Sequence, residues 1–143
     1  MTRVIATGTF DLLHPGHILY LEKSKALGDE LVVIVARDLN VKHKPKPIVP
    51  EQQRLQMVST LKAVDRAILG SETDIFETIE SLRPDIITLG YNQHFDPNLL
   101  KAEISKLGLY PEIVRIEANN PCELCSSRNI MAKILSRYRG RRF

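Results

Sequence analysis

Tryptophan is absent, and eight phenylalanines and tyrosines leave aromatic residues at only 6% of the chain. Base-stacking surfaces for single-stranded nucleic acid interleave aromatic rings with cations. The basic tail, Arg137-Tyr138-Arg139-Gly140-Arg141-Arg142-Phe143, therefore makes no nucleic-acid site by itself. It reads as a solvated helix end whose cations suit the helix dipole, or as a clamp on an anionic substrate. Only two cysteines are present, Cys122 and Cys125. A structural zinc needs four ligands, so this lone CxxC cannot close one within a single chain. Two loop thiols, a redox-sensitive pair and a metal shared between subunits all stay open. No apolar run approaches the ~20 residues that span a bilayer, and the first residues, MTRVIATG, lack a leader pattern. The expectation is a cytoplasmic protein with no membrane partner. A charge excess of one sign is also missing. The net +3 suits small anionic substrates and does not demand nucleic acid.

What is present is a regular alternation. Val4 to Thr9, with Phe10 at its limit, Leu31 to Val35, Arg66 to Leu69, Asp85 to Leu89 and Glu112 to Ile116 read as strands. Leu31 to Val35 is a continuous apolar run and Asp85 to Leu89 nearly so, as expected for strands buried on both faces. Between them lie helical patterns. Ile18, Leu21 and Lys25 mark one side of the first, Leu19, Ala26 and Leu27 fill toward the core, and Gly28 closes it. Leu55, Val58 and Leu61 mark the second, after Pro50. Further helices are expected over about 73–82, 97–107 and 127–138. Internal repeats are lacking. The pattern predicts one domain over residues 1–143, an α/β fold with a doubly wound, five-stranded parallel sheet of Rossmann-like type.

The chemistry concentrates in Gly8-Thr9-Phe10-Asp11-Leu12-Leu13-His14-Pro15-Gly16-His17. A strand ends here, where open α/β sheets bind their ligands. The helix that starts at Pro15 offers free N–H groups and a positive dipole end to an anion. His14 and His17 are three apart, starting on the loop, so they can converge on one oxygen-rich group. A metal pair on one helix face would instead be spaced four apart. Near pH 7 they are donors, neutral or cationic. Gly16 lets the backbone approach phosphate, and Thr9 and Phe10 lie where their backbone can touch a nucleotide. Asp11 can hold the loop, orient a histidine or touch a hydrated cation; the first two rank highest, because one carboxylate is a poor metal site.

Three further segments add to this. Lys42-His43-Lys44-Pro45-Lys46-Pro47 gathers three lysines around stiff prolines. Leu89-Gly90-Tyr91-Asn92-Gln93 ends the fourth strand, and Gly90 permits close backbone approach to a base edge. Ser126 and Ser127 open the last helix with hydroxyls and free amides, and Arg128 can join them. Arg54 faces either the same site or the surface.

The run GTFDLLHPGH resembles the GxFDxxHxGH signature of the cytidylyltransferase-like nucleotidyltransferases. The resemblance extends over nearly the whole chain, through the lysine loop, the Gly90 strand end and a Ser-Ser pair similar to the family's ISST or GIST element. It implies transfer of a nucleoside monophosphate from a triphosphate to a phosphorylated acceptor. His14 and His17 would act on the triphosphate, with Lys44 or Lys46 as the completing cation. Thr9, Phe10, Asp11, Pro15, Gly16, Gly90, Asn92, Ser126, Ser127 and Arg128 would bind the nucleotide. A divalent cation would arrive mainly on substrate phosphates, and no metal site is assigned to the protein. Among such enzymes, GTFDLLHPGH, GYNQ and a CxxC leading into Ser-Ser look most like the archaeal-type FAD synthetases, which form FAD and pyrophosphate from FMN and ATP. A glycerol-3-phosphate cytidylyltransferase using CTP is the alternative, although the missing tryptophan and the lost Arg, Gly and Ile of the GIST element count against it. A nucleotide-binding redox sensor is a third reading. The resemblance is also compatible with a homodimer.

Overall fold

Five strands form one parallel sheet in the order β3-β2-β1-β4-β5. In chain order they are β1 (Arg3–Gly8), β2 (Glu30–Val35), β3 (Arg66–Leu69), β4 (Ile86–Gly90) and β5 (Glu112–Ile116). The helices are α1 (Pro15–Lys25), α2 (Glu51–Ser59), α3 (Ile75–Leu82), α4 (Pro97–Ser105) and α5 (Ser127–Tyr138), with a 3₁₀ turn at Asp38–Asn40. The computed structural model describes all residues except 42–44, 91–92, 94, 118–121 and 142–143.

Parallel strands need covering on both faces. Val4, Ala6, Leu31, Val33 and Val35 pack on one side with Phe10, Leu21 and Val58. Ile5, Val32, Ile34 and Ile87 pack on the other with Ile79, Leu82 and Ile104. The alternation along β1 and β2 thus feeds two cores, which is why these strands show no polar face in sequence.

The expected elements form, with shifts at their ends. The first strand stops at Gly8, short of Thr9 and Phe10. Phe10 adopts a left-handed backbone (φ 55°) and its ring turns back over Gly8, where a Cβ would meet Phe10 Cε2 at 2.8 Å. Burial of that ring, 3% exposed, supports the unusual turn. Gly28 is not the αL residue that closes α1. That helix caps at Ala26, and Gly28 lies beneath β1, where a Cβ would meet Val4 Cγ2 at 2.7 Å and Thr2 O at 2.8 Å. Leu27 points away from the core, 40% exposed, whereas Leu21 and Ser24 are buried. Gly108, by contrast, has the positive φ (76°) that stops the chain after α4.

Candidate active site

The order β2-β1-β4 places the topological switch point between β1 and β4. These strands pair only through Val4↔Ile86, Ile5↔Ile87 and Ala6↔Thr88, although β1 reaches Gly8 and β4 reaches Gly90. Two side chains replace the missing ladder. The Tyr20 hydroxyl, from α1, donates to Thr88 O at 2.9 Å and accepts from Thr7 N at 3.2 Å. Further along, Gln93 Nε2 donates to Thr7 O at 3.0 Å, and its Oε1 accepts from Gly90 N at 2.7 Å. The crevice is therefore wedged open without leaving these buried backbone groups unpaired. Burial pushes the Tyr20 phenol up to about 12, so it stays a neutral hydroxyl. Behind it, the buried hydroxyls of Ser24 and Thr88 meet at 2.8 Å.

At this crevice α1 begins with a reciprocal histidine cap. Gly16 N donates to His14 Nδ1 at 3.1 Å, and His14 N donates to His17 Nδ1 at 3.2 Å. Both rings thus use Nδ1 as an acceptor. In the neutral form each then carries its proton on Nε2, where it is a donor. The rings stack, with centroids 3.8 Å apart and planes 32° from parallel. Burial holds the His14 pKa below the ordinary histidine value. The sequence left neutral and cationic donors open; the cap selects the neutral tautomer, because a protonated Nδ1 would face the Gly16 N–H. Pro15 occupies the first turn, where its missing N–H is harmless. Phe10 packs its ring beside His17, centroids 5.5 Å apart.

Asp11 serves as a loop anchor. Its carboxylate accepts from Ile48 N at 3.0 Å and Val49 N at 2.9 Å, which fastens the distal root of the lysine loop to the turn after β1. Arg54 continues this anchor and corrects both expectations for it, since it neither faces the crevice as a free cation nor lies on the surface. Its side chain is fully buried. It donates to Thr9 O at 2.6 Å, Ala36 O at 2.8 Å and Val49 O at 2.8 Å, and pairs with Asp38 Oδ1 at 2.6 Å. One guanidinium thereby joins the loops that follow β1 and β2 to the start of α2. Lys46 is exposed on the anchored loop, while Lys44 lies outside the described residues, as does Asn92.

The start of α5 completes the site. Ser126 is its N-cap and accepts from Asn129 N at 3.0 Å. A Cβ on Gly16 would meet Cys125 O at 3.1 Å and the His14 ring at 2.9 Å. The absence of that Cβ lets the segment before α5 lie on the turn between the histidines. Ser127 and Arg128 are the first residues of α5, and Arg128 is exposed. Cys122 and Cys125 are joined as a disulfide, the oxidised form of the CxxC pair. Lys133 pairs with Glu123 at 2.8 Å, tying this loop to α5.

The structure thus brings together Thr9, Phe10, Asp11, His14, Pro15, Gly16 and His17 with the segment leading into Ser126. Gly90 stands across the crevice on β4. Tyr20, Gln93 in its bridging role, and Arg115, which donates to Gly90 O at 2.8 Å, Gln93 O at 2.9 Å and Phe95 O at 2.7 Å, go beyond the residues singled out from the sequence. A hydroxyl one turn inside an apolar helix was the available signal for Tyr20, whereas nothing in the spacing pointed to Arg115.

Comparison with known proteins identifies the family. The sequence model of the Cytidylyltransferase-like family matches residues 5–133. The chain belongs to this family. It is 70% identical over 135 residues to a protein named FAD synthase from Methanothrix thermoacetophila, covering 94% of each chain. It is 59% identical over 141 residues to a protein of the same name from Archaeoglobus profundus, covering 99% of this chain and 91% of the relative. A solved structure, described as the lipopolysaccharide core biosynthesis protein from Thermoplasma volcanium GSS1, superposes with a TM-score of 0.81 at 55% identity. That match covers 84% of this chain and 99% of the other.

Proposed function

We propose that this chain transfers AMP from ATP to FMN, giving FAD and pyrophosphate. The carrying observation is the reciprocal cap of His14 and His17 at the switch-point crevice, and the names of the relatives support the choice of substrates. A phosphate oxygen of FMN attacks the α-phosphorus of ATP in line. The new P–O bond forms as the bond to the β-phosphate oxygen breaks. The attacking phosphate is already ionised, so no strong base is needed. The enzyme must hold two anions together and stabilise charge that grows on the α-phosphoryl and the leaving group.

In this reading, Nε2–H of His14 and of His17 donate to the triphosphate most strongly in the transition state. The amides at the start of α1, opened by Gly16, add fixed dipoles. Lys46 and Lys44 bring positive charge from a loop whose root Asp11 fixes. The segment from Ser126 to Arg128 faces the phosphates from the far side. Thr9, Phe10, Gly90 and Asn92 line the nucleotide. Among the described residues no three His, Cys, Asp or Glu side chains gather, and the Asp11 carboxylate accepts from two amides. In this reading the divalent cation of the reaction enters with the triphosphate. Among the described residues no helix is long and apolar enough to cross a membrane.

The test is direct. The reduced and the oxidised protein are each incubated with Mg²⁺, FMN and either ATP or CTP, and the flavins are separated by chromatography. FAD that requires ATP and vanishes in His17→Ala supports the proposal. Pyrophosphate released from CTP with glycerol 3-phosphate, without new flavin, would replace it.

A further inference from the structure

We propose that Ser24 and Thr88 are positioning residues: their buried hydroxyl pair locks α1 at one height against β4 and so fixes the turn that carries His14, Gly16 and His17. The proposal rests on the function proposed above and concerns how its phosphate site is held. Both side chains are fully buried, and their oxygens meet at 2.8 Å. Ser24 Oγ donates its one proton to Tyr20 O at 2.8 Å, so Thr88 Oγ1 is the donor to Ser24 Oγ. The Tyr20 hydroxyl in turn donates to Thr88 O at 2.9 Å. Tyr20 and Ser24 are four residues apart, on the same face of α1. Together they grip a single residue of β4 by its side chain and by its backbone.

Stability alone does not call for this pair. Leu21 already buries α1 against the sheet, in the cluster that holds Val4, Leu31 and Val33. A valine has the shape of Thr88 and would fill its place without a polar group. A buried hydroxyl gives up its water and regains a bond, so its net contribution is small. What the pair adds is direction. Apolar packing is non-directional and tolerates a helix that slides along its axis, whereas a hydrogen bond is lost over a shift of about 1 Å. Among the described residues, the buried polar or charged ones are Thr7, Ser24, Arg54 and Thr88. Arg54 fixes the loops, and the other three all bond to Tyr20 of α1.

The location gives this lock its meaning. Gly16 lies four residues before Tyr20, about 6 Å along the helix. A slip of α1 at Ser24 is therefore carried to its first turn, where His14 and His17 cap the helix through Nδ1. Thr88 stands at the last paired position of β1 and β4, Ala6↔Thr88, where the crevice begins. The lock thus lies where the helix that offers phosphate donors meets the fork that admits the substrate. A misplacement of about 1 Å can cost 10²-fold in rate. A contact of small energetic weight can in this way carry large kinetic weight.

The experiment separates hydroxyl from shape at one position. Melting temperature, FAD formation and calorimetric binding of ATP with Mg²⁺, without FMN, are measured for wild type, Thr88→Val and Thr88→Ser. Thr88→Val keeps the shape and loses the donor, while Ser24 still donates to Tyr20 O. It should melt close to wild type, bind ATP more weakly and lose about 10²-fold in kcat/KM. Thr88→Ser keeps the donor and loses a buried methyl. It should melt lower and retain kcat/KM near the wild-type value. Stability and activity then move in opposite directions, which a merely structural role would not produce. If Thr88→Val fails to fold, Ser24→Ala carries the test and should show the same loss of activity. Thr88→Val with wild-type kinetics, or Thr88→Ser as impaired as Thr88→Val, overturns the proposal. Wild type that binds ATP but forms no FAD sinks the adenylyl reading instead, and ATP binding by the variants then decides the lock alone.

Discussion

His14 and His17 complete each other's turn through the same ring atom. His14 Nδ1 accepts from Gly16 N, and His17 Nδ1 accepts from the backbone N–H of His14. A capping arrangement usually made by a hydroxyl and a carboxylate is made here by two imidazoles. The consequence is chemical as well as structural, since the cap fixes which nitrogen of each ring carries a proton.

Capping and phosphate donation are therefore separable. Asparagine is a favoured N-cap, and its side-chain oxygen can replace His14 Nδ1. His14→Asn should keep thermal stability within the equivalent of about 1 kcal/mol, yet lose the Nε2 donor. A fall of ~10²–10³ in kcat is expected. Comparing melting curves with FAD formation checks both halves. A variant that loses stability but keeps activity would reverse the assignment.

The pH dependence has a definite sign. His14 has a folded pKa below the ordinary 6.5, because burial disfavours the cation. Above pH 6.5 both folded and unfolded His14 are neutral, and the cap contributes fully. As pH falls below 6.5 and through the lower folded value, the unfolded chain takes up the proton first, so stability declines. The melting temperature should begin to fall near pH 6.5, while activity persists until folded His14 itself takes up a proton at lower pH. In His14→Asn the acid decline of stability should be smaller.

Tyr20 predicts an alkaline counterpart. Its phenol is raised to about 12, so its contribution is present below pH 10 and is lost as pH rises through the folded value. Spectrophotometric titration of the native protein should show one of the four tyrosines ionising late. Tyr20→Phe should remove that late step. It leaves Thr7 N and Thr88 O without the hydroxyl, at a cost of about 1–3 kcal/mol, measurable by denaturant unfolding.

Removing Arg54 should damage the scaffold more than any other single cation. Arg54→Met leaves three carbonyls and Asp38 without their shared donor. A loss of about 3 kcal/mol is expected, or a fall of very roughly 10 °C in Tm for a domain of this size. Lys46→Ala, on an exposed position, should leave Tm nearly unchanged while weakening ATP use. If Arg54→Met melts like wild type, the guanidinium is not the junction of these loops.

The amino-acid sequence by itself determined the layered architecture. Strands such as Leu31 to Val35 are apolar without alternation because both faces are buried, and Pro15, Pro97 and Gly108 mark helix ends through their own backbone restrictions. It also determined that His14, Gly16 and His17 sit at a helix start beyond a strand, because that motif is local and each residue acts within one turn. Tertiary structure decided what depends on distant partners. Arg54 is buried because Thr9, Ala36, Val49 and Asp38 converge on it from separate segments. Cys122 and Cys125 are bonded, a pairing that their spacing allowed but did not require. The opening between β1 and β4 exists because Tyr20 and Gln93 reach into it from α1 and a loop, and Arg115 holds that loop from another strand. Local patterns record propensity and burial, whereas these bonds form only once folding brings together Tyr20 and Thr7, 13 positions apart, and Arg115 and Gly90, 25 positions apart.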